Sequence, residues 1–426
     1  MLDIPRWPAD TPLSSDWTVL VDGTPVPVVT CERGPFALWS CDGPCTVELH
    51  HASSTPLAAV VRPRRLAITP ESGAKRIAFN LLGPCRLLLE APGLPALHLF
   101  AEHAAPAAPA KARVIAAGTR VTQEVLTLGE GESLWLERGA VLNAHVRAHG
   151  AGIRIGGGGL ISGAGLRGMK HVVADGCPGL RIDDLTVTDP GGWSVVLGAC
   201  DGAEVNDLRV LSPGDGSGTD GIDVVGSSDV TVRRAFIICG DDALVIKAFQ
   251  PSEGSRLPWA RPVERVRFEH CTVGTYGGHG MEIGHELTVS HVRDITFSDI
   301  DVLFAHRFGA PFGIHNGDRA AVRGVRWERV RIEHCYHQIL DLRVMRSRFN
   351  HDAERGSIAD LAFSDIDWWT SPYNAGYTIG AIGGFNAAHR ISGVRFERFR
   401  RDSVAVGSAD DLDLLFRHAD DVSFHP

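Results

Sequence analysis

The chain has 426 residues, a length that fits two domains or one long repeat domain with an appendage. Hydrophobic residues make up 44% of the chain and charged residues 22%, which is the ordinary composition of a globular protein. A formal charge of −9 argues against a nucleic-acid-binding protein, and the lack of any apolar stretch of about 18 residues argues against a membrane-spanning one.

The N-terminal sequence MLDIPRWPADTPLSS has neither the basic start nor the apolar stretch of a signal peptide. We therefore expect a cytoplasmic protein, or a secreted one if a leader has been removed. The nine cysteines lie mostly in apolar segments and are expected to be buried free thiols. Cys41 and Cys45 could form a disulfide or half of a metal site, but no second pair accompanies them, so we predict no metal and no cofactor.

Residues 1–104 contain short runs in which apolar and polar residues alternate, separated by Gly, Pro, Ser and Asp. Examples are WTVLVDGTPVPVV from Trp17, CTVELHH from Cys45 and RIAFNLL from Arg76. This pattern predicts a small N-terminal antiparallel β-sandwich. Residues 105–113 are rich in Ala and Pro and are predicted to be a linker.

Residues 114–426 repeat one motif, in which two polar residues separate two short apolar alternations. The motif begins at Leu180, Ala203, Val230, Val266, Ile295, Val325, Leu361 and Val394, so that successive copies are 23 to 36 residues apart. Each copy has the period of two of a strand with one buried face, and stacked coils would bury that face. The spacing predicts a right-handed parallel β-helix and leaves too little chain for the four-stranded blades of a propeller.

In such a solenoid, equivalent positions on neighbouring coils lie about 4.8 Å apart. Three consecutive coils then bring together the segments GTDGIDV, CGDDALVIK and GGHGMEIGHE, which carry Asp220, Asp241, Asp242 and His279. Mutual repulsion should raise the pKa of one carboxyl group, as a general acid requires, while an ionised partner activates water. This is the arrangement of a glycosidase, although Asp-Gly and Asp-Asp pairs also occur in ordinary turns.

The segments TDGID, GDDALVIK and GGHGMEIG, in this order, resemble the signature segments of glycoside hydrolase family 28, the polygalacturonase-like β-helix hydrolases. SLWLERGAVL and IRIGGGGLISGAG also resemble the first coils of that family, so the resemblance covers about residues 114–400. It implies a pectin-lyase-like solenoid. The N-terminal sandwich is similar to that of the related family 49, the dextranases and isopullulanases.

The resemblance implies that Asp241 is the general acid and that Asp220 and Asp242 hold and activate the water. It further implies cleavage of an α-linked poly- or oligosaccharide with inversion at the anomeric carbon. His279 would tune or orient the acid. Lys247 could reach a sugar hydroxyl, although a solvated lysine at the end of a strand is an equally good interpretation.

Two departures from the family pattern bear on the substrate. The first segment has Gly218 where the family has Asn, and the family's Arg-Ile-Lys segment is matched here by Gly313, Ile314 and His315. In polygalacturonases that Arg and Lys would face the substrate carboxylate, a natural use of a guanidinium group. Its loss favours a neutral or otherwise different sugar over galacturonate and makes His315 a candidate sugar-binding group.

Five further residues are candidates for substrate contacts, each with an ordinary structural alternative. Asp318 and Arg319 follow His315 and could instead form a surface ion pair. Glu282 and Glu286 flank the His279 segment and could be solvated loop acids. Trp193 lies one coil before Asp220 and could stack on a sugar face or belong to the core.

The predicted partner is therefore a carbohydrate, with neither nucleic acid nor membrane, and a homo-oligomer is possible. Three other functions stay open on the sequence. A polysaccharide lyase would need a basic residue and usually Ca²⁺, a glycosyl-transferring or cyclising enzyme could use the same carboxylates, and a binding solenoid would leave the aspartates without a purpose.

Overall fold

The structure is a computed structural model that describes residues 2–52, 58–73, 75–168, 170–213, 218–251, 255–371 and 379–426. Within these ranges the chain is almost entirely β-structure, with two short 3-10 helices at Arg64–Leu66 and Asp410–Leu412. No helix among them has both the length and the apolar character needed to cross a membrane. The predicted all-β class is confirmed.

The N-terminal part of the chain forms two five-stranded sheets. The strands are β1 (Trp17–Val21), β2 (Thr24–Val26), β3 (Val28–Cys31), β4 (Gly34–Ser40), β5 (Cys45–His51), β6 (Val60–Arg62), β7 (Glu71–Ser72), β8 (Arg76–Leu81), β9 (Cys85–Glu90) and β10 (Leu97–Glu102). Sheet A has the order β3-β4-β10-β9-β6 and sheet B the order β2-β1-β5-β8-β7. Their inner faces share one apolar core, to which Trp39, Val47 and Leu99 belong, so the sandwich is confirmed.

One pairing in the sandwich differs from the antiparallel prediction. β4 and β10 run parallel, with Phe36 opposite His98 and Ser40 opposite Glu102. The alternation of buried and exposed residues predicts which face of a strand is inward, but it is the same for both strand directions, so the sequence pattern could not reveal this pairing.

The remaining strands form one continuous solenoid. They are β11 (Arg113–Ile115), β12 (Arg120–Leu128), β13 (Ser133–Leu136), β14 (Val141–His149), β15 (Arg154–Gly156), β16 (Leu160–Ser162), β17 (Lys170–Asp175), β18 (Arg181–Thr188), β19 (Trp193–Gly198), β20 (Glu204–Leu211), β21 (Ile222–Val225), β22 (Thr231–Arg233), β23 (Phe236–Cys239), β24 (Leu244–Ala248), β25 (Val263–Glu269), β26 (Thr272–Thr275), β27 (Met281–Leu287), β28 (His291–Ser298), β29 (Asp301–Ala305), β30 (Phe312–Asn316), β31 (Ala321–Ile332), β32 (Leu340–Val344), β33 (Ser357–Trp368), β34 (Gly380–Gly383), β35 (Ile391–Arg401), β36 (Val404–Ala405), β37 (Leu414–Arg417) and β38 (Ala419–His425). Apart from β35 with β36, the pairings between them are parallel, as in β21 with β24 and β24 with β27. The predicted parallel β-helix is confirmed.

The two polar residues in the middle of each motif have a backbone cause. The fifth residue of every copy has positive φ, from 49° at Asp184 to 57° at His270, and we call these eight residues the bend row. Left-handed backbone at one residue bends the chain sharply, within a long strand or between two short ones, and Asp adopts it more readily than most residues. Exposed ion pairs join neighbouring members, such as Arg234 with Asp207 and Arg329 with Asp299.

Aromatic rings fill the interior of the later coils. Phe268, Phe297, Trp327, Phe363, Phe396 and Phe424 stack one above the next, with ring centroids 4.4 to 6.0 Å apart and interplanar angles of at most 9°. The first five occupy the third position of successive repeats, which is an inward position of the alternation, and Phe424 of β38 is in register with Phe396. The stack therefore fixes which face of each strand points into the solenoid and which points outward.

The sandwich packs against the outside of the solenoid. Phe36 and Phe100 of sheet A contact Phe236 and other outward apolar side chains of the coils. Polar contacts surround this patch, including the Arg62 guanidinium 2.5 Å from Glu333. Buried Arg209 binds Glu102 of β10 at 2.9 Å. The predicted linker, 105–113, has no strand before Arg113, and the exact domain limits stay a prediction.

Candidate active site

One solenoid surface carries alternating rows of acidic and basic side chains. This surface, which we call sheet C, consists of β17, β19, β21, β24, β27, β30, β32, β34 and β37, each paired in parallel with the next. Its inward positions belong to the apolar core, as Ile222 and Val224 do in β21. The outward positions between them are therefore free for polar side chains.

The strand register aligns these outward positions into two rows. The first, called the acid row, runs through Val196, Asp223, Val245, Glu282, Gly313, Asp341 and Ala381. The second, called the base row, runs through Val225, Lys247, a bulge in β27, His315, Arg343 and Gly383. Acids and bases on neighbouring rows can consequently form ion pairs across the surface.

The turns that lead into sheet C carry the predicted catalytic residues. Asp220 precedes β21, Asp241 and Asp242 precede β24, and His279 precedes β27. A backbone hydrogen bond joins the first two turns, in which the N–H of Gly221 donates to the carbonyl of Asp242 at 2.8 Å. The structure thus brings the three aspartates and the histidine to consecutive coils, as the sequence predicted.

A glycine is required where the turns meet. A Cβ atom added to Gly278 would lie 2.4 Å from both the Asp241 carbonyl carbon and the Asp242 amide nitrogen. No side chain fits at that distance. The first glycine of the Gly-His-Gly segment therefore lets the His279 turn lie directly against the aspartate pair.

The two adjacent aspartates have different partners. The backbone N–H and the Nδ1 atom of His279 lie 2.6 Å and 3.2 Å from Asp242 Oδ1. Asp241 instead accepts a hydrogen bond from the backbone N–H of Gly218. The imidazole thus stabilises negative charge on Asp242 more strongly than on Asp241.

These contacts separate the pKa values of the pair. Burial and the neighbouring charge of Asp242 raise the pKa of Asp241 above its usual value. Burial also acts to raise the pKa of Asp242, but the hydrogen bond and charge of His279 prevail and hold it well below its usual value. One carboxyl group favours the protonated form and its neighbour the ionised form, which is what a general acid and a general base require.

Asp220 belongs to a second ion group. Lys247 Nζ lies 3.1 Å from Asp220 Oδ2 and 3.4 Å from Asp223 Oδ1, and all three side chains are buried. The same ammonium lies 4.4 Å from the centre of the Trp193 ring. Burial raises the pKa of Asp223 to about 6 and raises that of Asp220 well above its usual value, against the effect of Lys247.

His279 also begins a chain of buried charged groups across the two rows. Its Nδ1 atom lies 3.6 Å from Glu282 Oε2, and Glu282 Oε1 lies 2.9 Å from His315 Nδ1. The other ring nitrogen of His315 lies 3.1 Å from Asp341 Oδ2, and Arg343 also binds Asp341. Burial acts to lower the pKa of His315, but Glu282 and Asp341 raise it to about 10.

His279, Glu282 and His315 offer three ligand atoms within 4.8 Å of one another, the spacing of a metal site. A metal needs an imidazole lone pair, yet both ring nitrogens of His315 face carboxylates, which favours the protonated ring. A hydrogen-bonded ion chain accounts for these residues.

The structure gives other surroundings to the remaining candidates. Asp318 is fully buried and accepts backbone hydrogen bonds from Leu287, His351 and Asp352, so it anchors a loop. Arg319 binds Asp352 at the exposed surface and does not form the alternative surface ion pair with Asp318. Both residues thus have structural contacts, and their role in substrate binding stays a prediction.

Glu286 and Trp193 lie near the second ion group. Glu286 is half-buried, and its charge helps to raise the pKa of Lys247. Trp193 is also half-buried, with Lys170 Nζ 5.0 Å from its ring centre on the side of the earlier coils. Both remain candidates for substrate contact.

Sequence reasoning missed three charged residues. Asp223 was visible in the first segment but received no role, and Asp341 and Arg343 were not considered. A signal for the last two existed, because LDLRV follows PFGIHN with the same apolar alternation. Continuing the register by one coil would have put Asp341 opposite Gly313 and Arg343 opposite His315, as in the structure.

Known proteins resemble this chain in sequence and in fold. Residues 161–341 match the model of glycosyl hydrolases family 28. An endo-polygalacturonase of Pectobacterium carotovorum subsp. carotovorum is 28% identical over 148 residues, which cover 35% of this chain and 33% of that protein. The chain thus matches about a third of the length of this curated relative.

Solved structures show the same fold at low identity. Dex49A from Penicillium minioluteum aligns with a TM-score of 0.58 and 11% identity, over 97% of this chain and 96% of that one. A family 28 exopolygalacturonase of Yersinia enterocolitica aligns over the whole of both chains, with a TM-score of 0.51 and 12% identity. A polygalacturonase of Erwinia carotovora ssp. carotovora aligns at 0.50 and 17% identity, over 72% of this chain and 87% of that one.

The family match includes every residue from Asp220 to His315 that the sequence analysis selected. It agrees with the predicted enzyme class, and the structural neighbours agree with the predicted β-helix. The predicted resemblance is therefore confirmed: residues 161–341 match the family 28 glycosyl hydrolase model and lie within a parallel β-helix that carries an N-terminal sandwich.

Proposed function

We propose that this protein is a glycoside hydrolase that cleaves an α-linked poly- or oligosaccharide with inversion, and that it is not a standard polygalacturonase. The supporting observation is the Asp241–Asp242 pair, in which neighbouring carboxyl groups have opposite pKa shifts. The family match and its polygalacturonase relative support the same reaction class.

In the proposed reaction, Asp241 donates its proton to the leaving oxygen of the glycosidic bond. Asp242, kept ionised by His279, accepts a proton from the water that attacks the anomeric carbon from the opposite side. Asp220 lies on the preceding coil and helps to hold that water. Each turnover leaves Asp241 ionised and Asp242 protonated, and exchange with solvent restores both groups.

The proposed substrate is neutral at the position where a uronate would carry its carboxylate. Gly313 stands where the resemblance would put the substrate-facing arginine, and Glu282 and Asp341 flank it in the acid row. An anionic sugar there would meet carboxylates in place of a guanidinium group. We therefore expect neutral α-glycans to be better substrates than oligogalacturonates.

A lyase is the less favoured alternative because it needs a neutral base. The one lysine within this group, Lys247, is held between Asp220 and Asp223, which raise its pKa well above the usual value although burial opposes them. A glycosyl-transferring or cyclising enzyme would use the same carboxylates. It would differ in giving products longer than, or cyclised from, the substrate.

The deciding experiment screens neutral α-glucans, fructans, arabinans and oligogalacturonates, following the anomeric configuration of the first product by NMR. Asp241→Asn should lose at least about 100-fold in kcat/KM, because general acid catalysis contributes about 10²–10⁴-fold. Asp294→Asn, on an exposed strand position, is the matched control. Undiminished turnover by Asp241→Asn would refute the acid assignment, and a product with the substrate's own anomeric configuration would refute inversion.

A further inference from the structure

A fully buried carboxylate lies between two imidazoles beside the catalytic aspartates. Glu282 Oε1 lies 2.9 Å from His315 Nδ1, and its Oε2 lies 3.6 Å from His279 Nδ1. The rings of His279 and His315 meet edge to face, with centroids 4.8 Å apart. If both buried rings were cationic, they would repel each other at this distance, and an anion between them would offset that repulsion.

The place of Glu282 depends on a missing side chain one coil later. A Cβ atom on Gly313 would lie 1.9 Å from Glu282 Oε2 and 2.7 Å from His279 Cδ2. The Glu282 carboxylate therefore occupies the space that a side chain at position 313 would fill. Glu282 can therefore take this position only because residue 313 is glycine.

We propose that Glu282 is a positioning residue that acts through His279: its carboxylate holds that imidazole as a cation against Asp242 and thereby keeps the catalytic base ionised. This inference rests on the proposed function for its catalytic part. Its electrostatic part concerns the ionisation of one histidine and holds for the protein without any substrate.

The charges around His279 support this role. The titratable groups that face it are Asp241, Asp242, Glu282, His285, His315 and Asp341. Burial acts to lower the pKa of His279, but Glu282 first and then Asp242 raise it above its usual value. His285 stacks on His315 with centroids 4.7 Å apart, and burial lowers the pKa of His285 to about 4, so it adds no charge near neutral pH.

The sign of the expected change follows from this order. Replacing Glu282 by the isosteric glutamine removes one of the two carboxylates that attract the His279 proton, so the pKa of His279 should fall. A neutral His279 stabilises ionised Asp242 less, so the pKa of Asp242 should rise. The acid side of the pH–rate profile should then move to higher pH.

The first test measures the His279 charge directly. Selective ¹⁵N-histidine labelling with NMR titration reports the imidazolium midpoint, with the His279 signal assigned from its absence in His279→Gln. Glu282→Gln should lower this midpoint by about one pH unit or more, a tenfold change in proton affinity. The control Glu269→Gln removes a carboxylate that pairs with Arg233 on another face and should leave the midpoint unchanged.

Gly313→Ala is a second variant that keeps the charge of Glu282 but displaces it. It should lower the His279 midpoint in the same direction, whereas Gly383→Ala, whose added Cβ would meet Arg343 Cγ at an ordinary 3.7 Å, should not. If Glu282→Gln shows no cooperative unfolding transition and is therefore not folded, the His279 midpoint of Gly313→Ala alone tests the proposal. An unchanged His279 midpoint in the deciding variant overturns the proposal.

The second test separates this inference from the proposed function. On the substrate found by the screen, kcat/KM of Glu282→Gln should fall about tenfold or more on the acid side and recover toward higher pH. A shifted His279 midpoint with an unshifted rate profile overturns the catalytic role of Glu282. Failure of Asp241→Asn to lose activity would instead refute the proposed function and leave the NMR result standing.

Discussion

Replacing Lys247 by methionine removes the only cation that contacts Asp220 and Asp223 among the described residues and keeps the length of the side chain. At 3.4 Å, and with an effective dielectric constant of about 20, the attraction between the Lys247 ammonium and ionised Asp223 is about 5 kcal/mol. The cost of removing the charges from water offsets much of this. Loss of one partner from such a buried group costs about 3–5 kcal/mol in the free energy of unfolding near neutral pH.

The loss should depend on pH with a definite sign. Asp223, with a pKa of about 6, is protonated more readily in the folded than in the unfolded chain, so its contribution to stability falls as pH rises through that value. Without Lys247 its folded pKa rises further. One such group adds about 2 kcal/mol to the destabilisation between pH 6 and 7.5.

Urea unfolding followed by tryptophan fluorescence at pH 5 and pH 7.5 measures this difference. Lys111→Met, at an exposed position, is the matched control and should change the unfolding midpoint little at either pH. An equal loss of stability at both pH values for Lys247→Met would contradict the reasoning, because a packing defect is insensitive to pH and an unpaired carboxylate is not.

Three further predictions follow from other parts of the structure. Phe363→Ala should cost about 3–5 kcal/mol in unfolding free energy, because the ring is fully buried between Trp327 and Phe396. The control Phe416→Ala, at the surface, should cost little. A cost below about 1 kcal/mol for Phe363→Ala would contradict a stabilising role of the aromatic stack. Gly278→Ala should lower kcat at least about tenfold, because the added Cβ would displace the turn that carries Asp241 and Asp242. The control is Gly43→Ala, whose added Cβ would meet nothing within 4 Å. Full activity of Gly278→Ala would show that the turn tolerates a side chain. A chelator should leave turnover unchanged and give no unsaturated product, and a chelator-sensitive release of such a product would favour the lyase.

The sequence was sufficient to predict the solenoid because its signal is local and repeated. Eight copies of one alternation identify strands, and the polar pair within each copy coincides with the bend row. The aspartates could also be predicted to meet, because Asp220, Asp241 and His279 lie in glycine-bounded turns one coil apart. Family resemblance then assigned roles that spacing alone leaves open.

Sequence reasoning missed the charged surface beyond His279 because the register was not continued past the PFGIHN segment of β30. The LDLRV segment of β32 repeats the same alternation, which aligns Asp341 with Gly313. The role of Asp318 was missed for a different reason. A buried aspartate that accepts three backbone N–H groups has the same sequence appearance as an exposed one.

The bend row and the loops that follow the sheet C strands are separate parts of each repeat. Each member of the bend row lies in or between the strands that come after such a loop. Segments after the sheet C strands range from one residue, 418, to fourteen, 249–262, while the rows on the sheet stay aligned. Selection could therefore remodel the rim of the proposed sugar-binding surface, one loop at a time, without disturbing the strands on which the acids and bases are fixed.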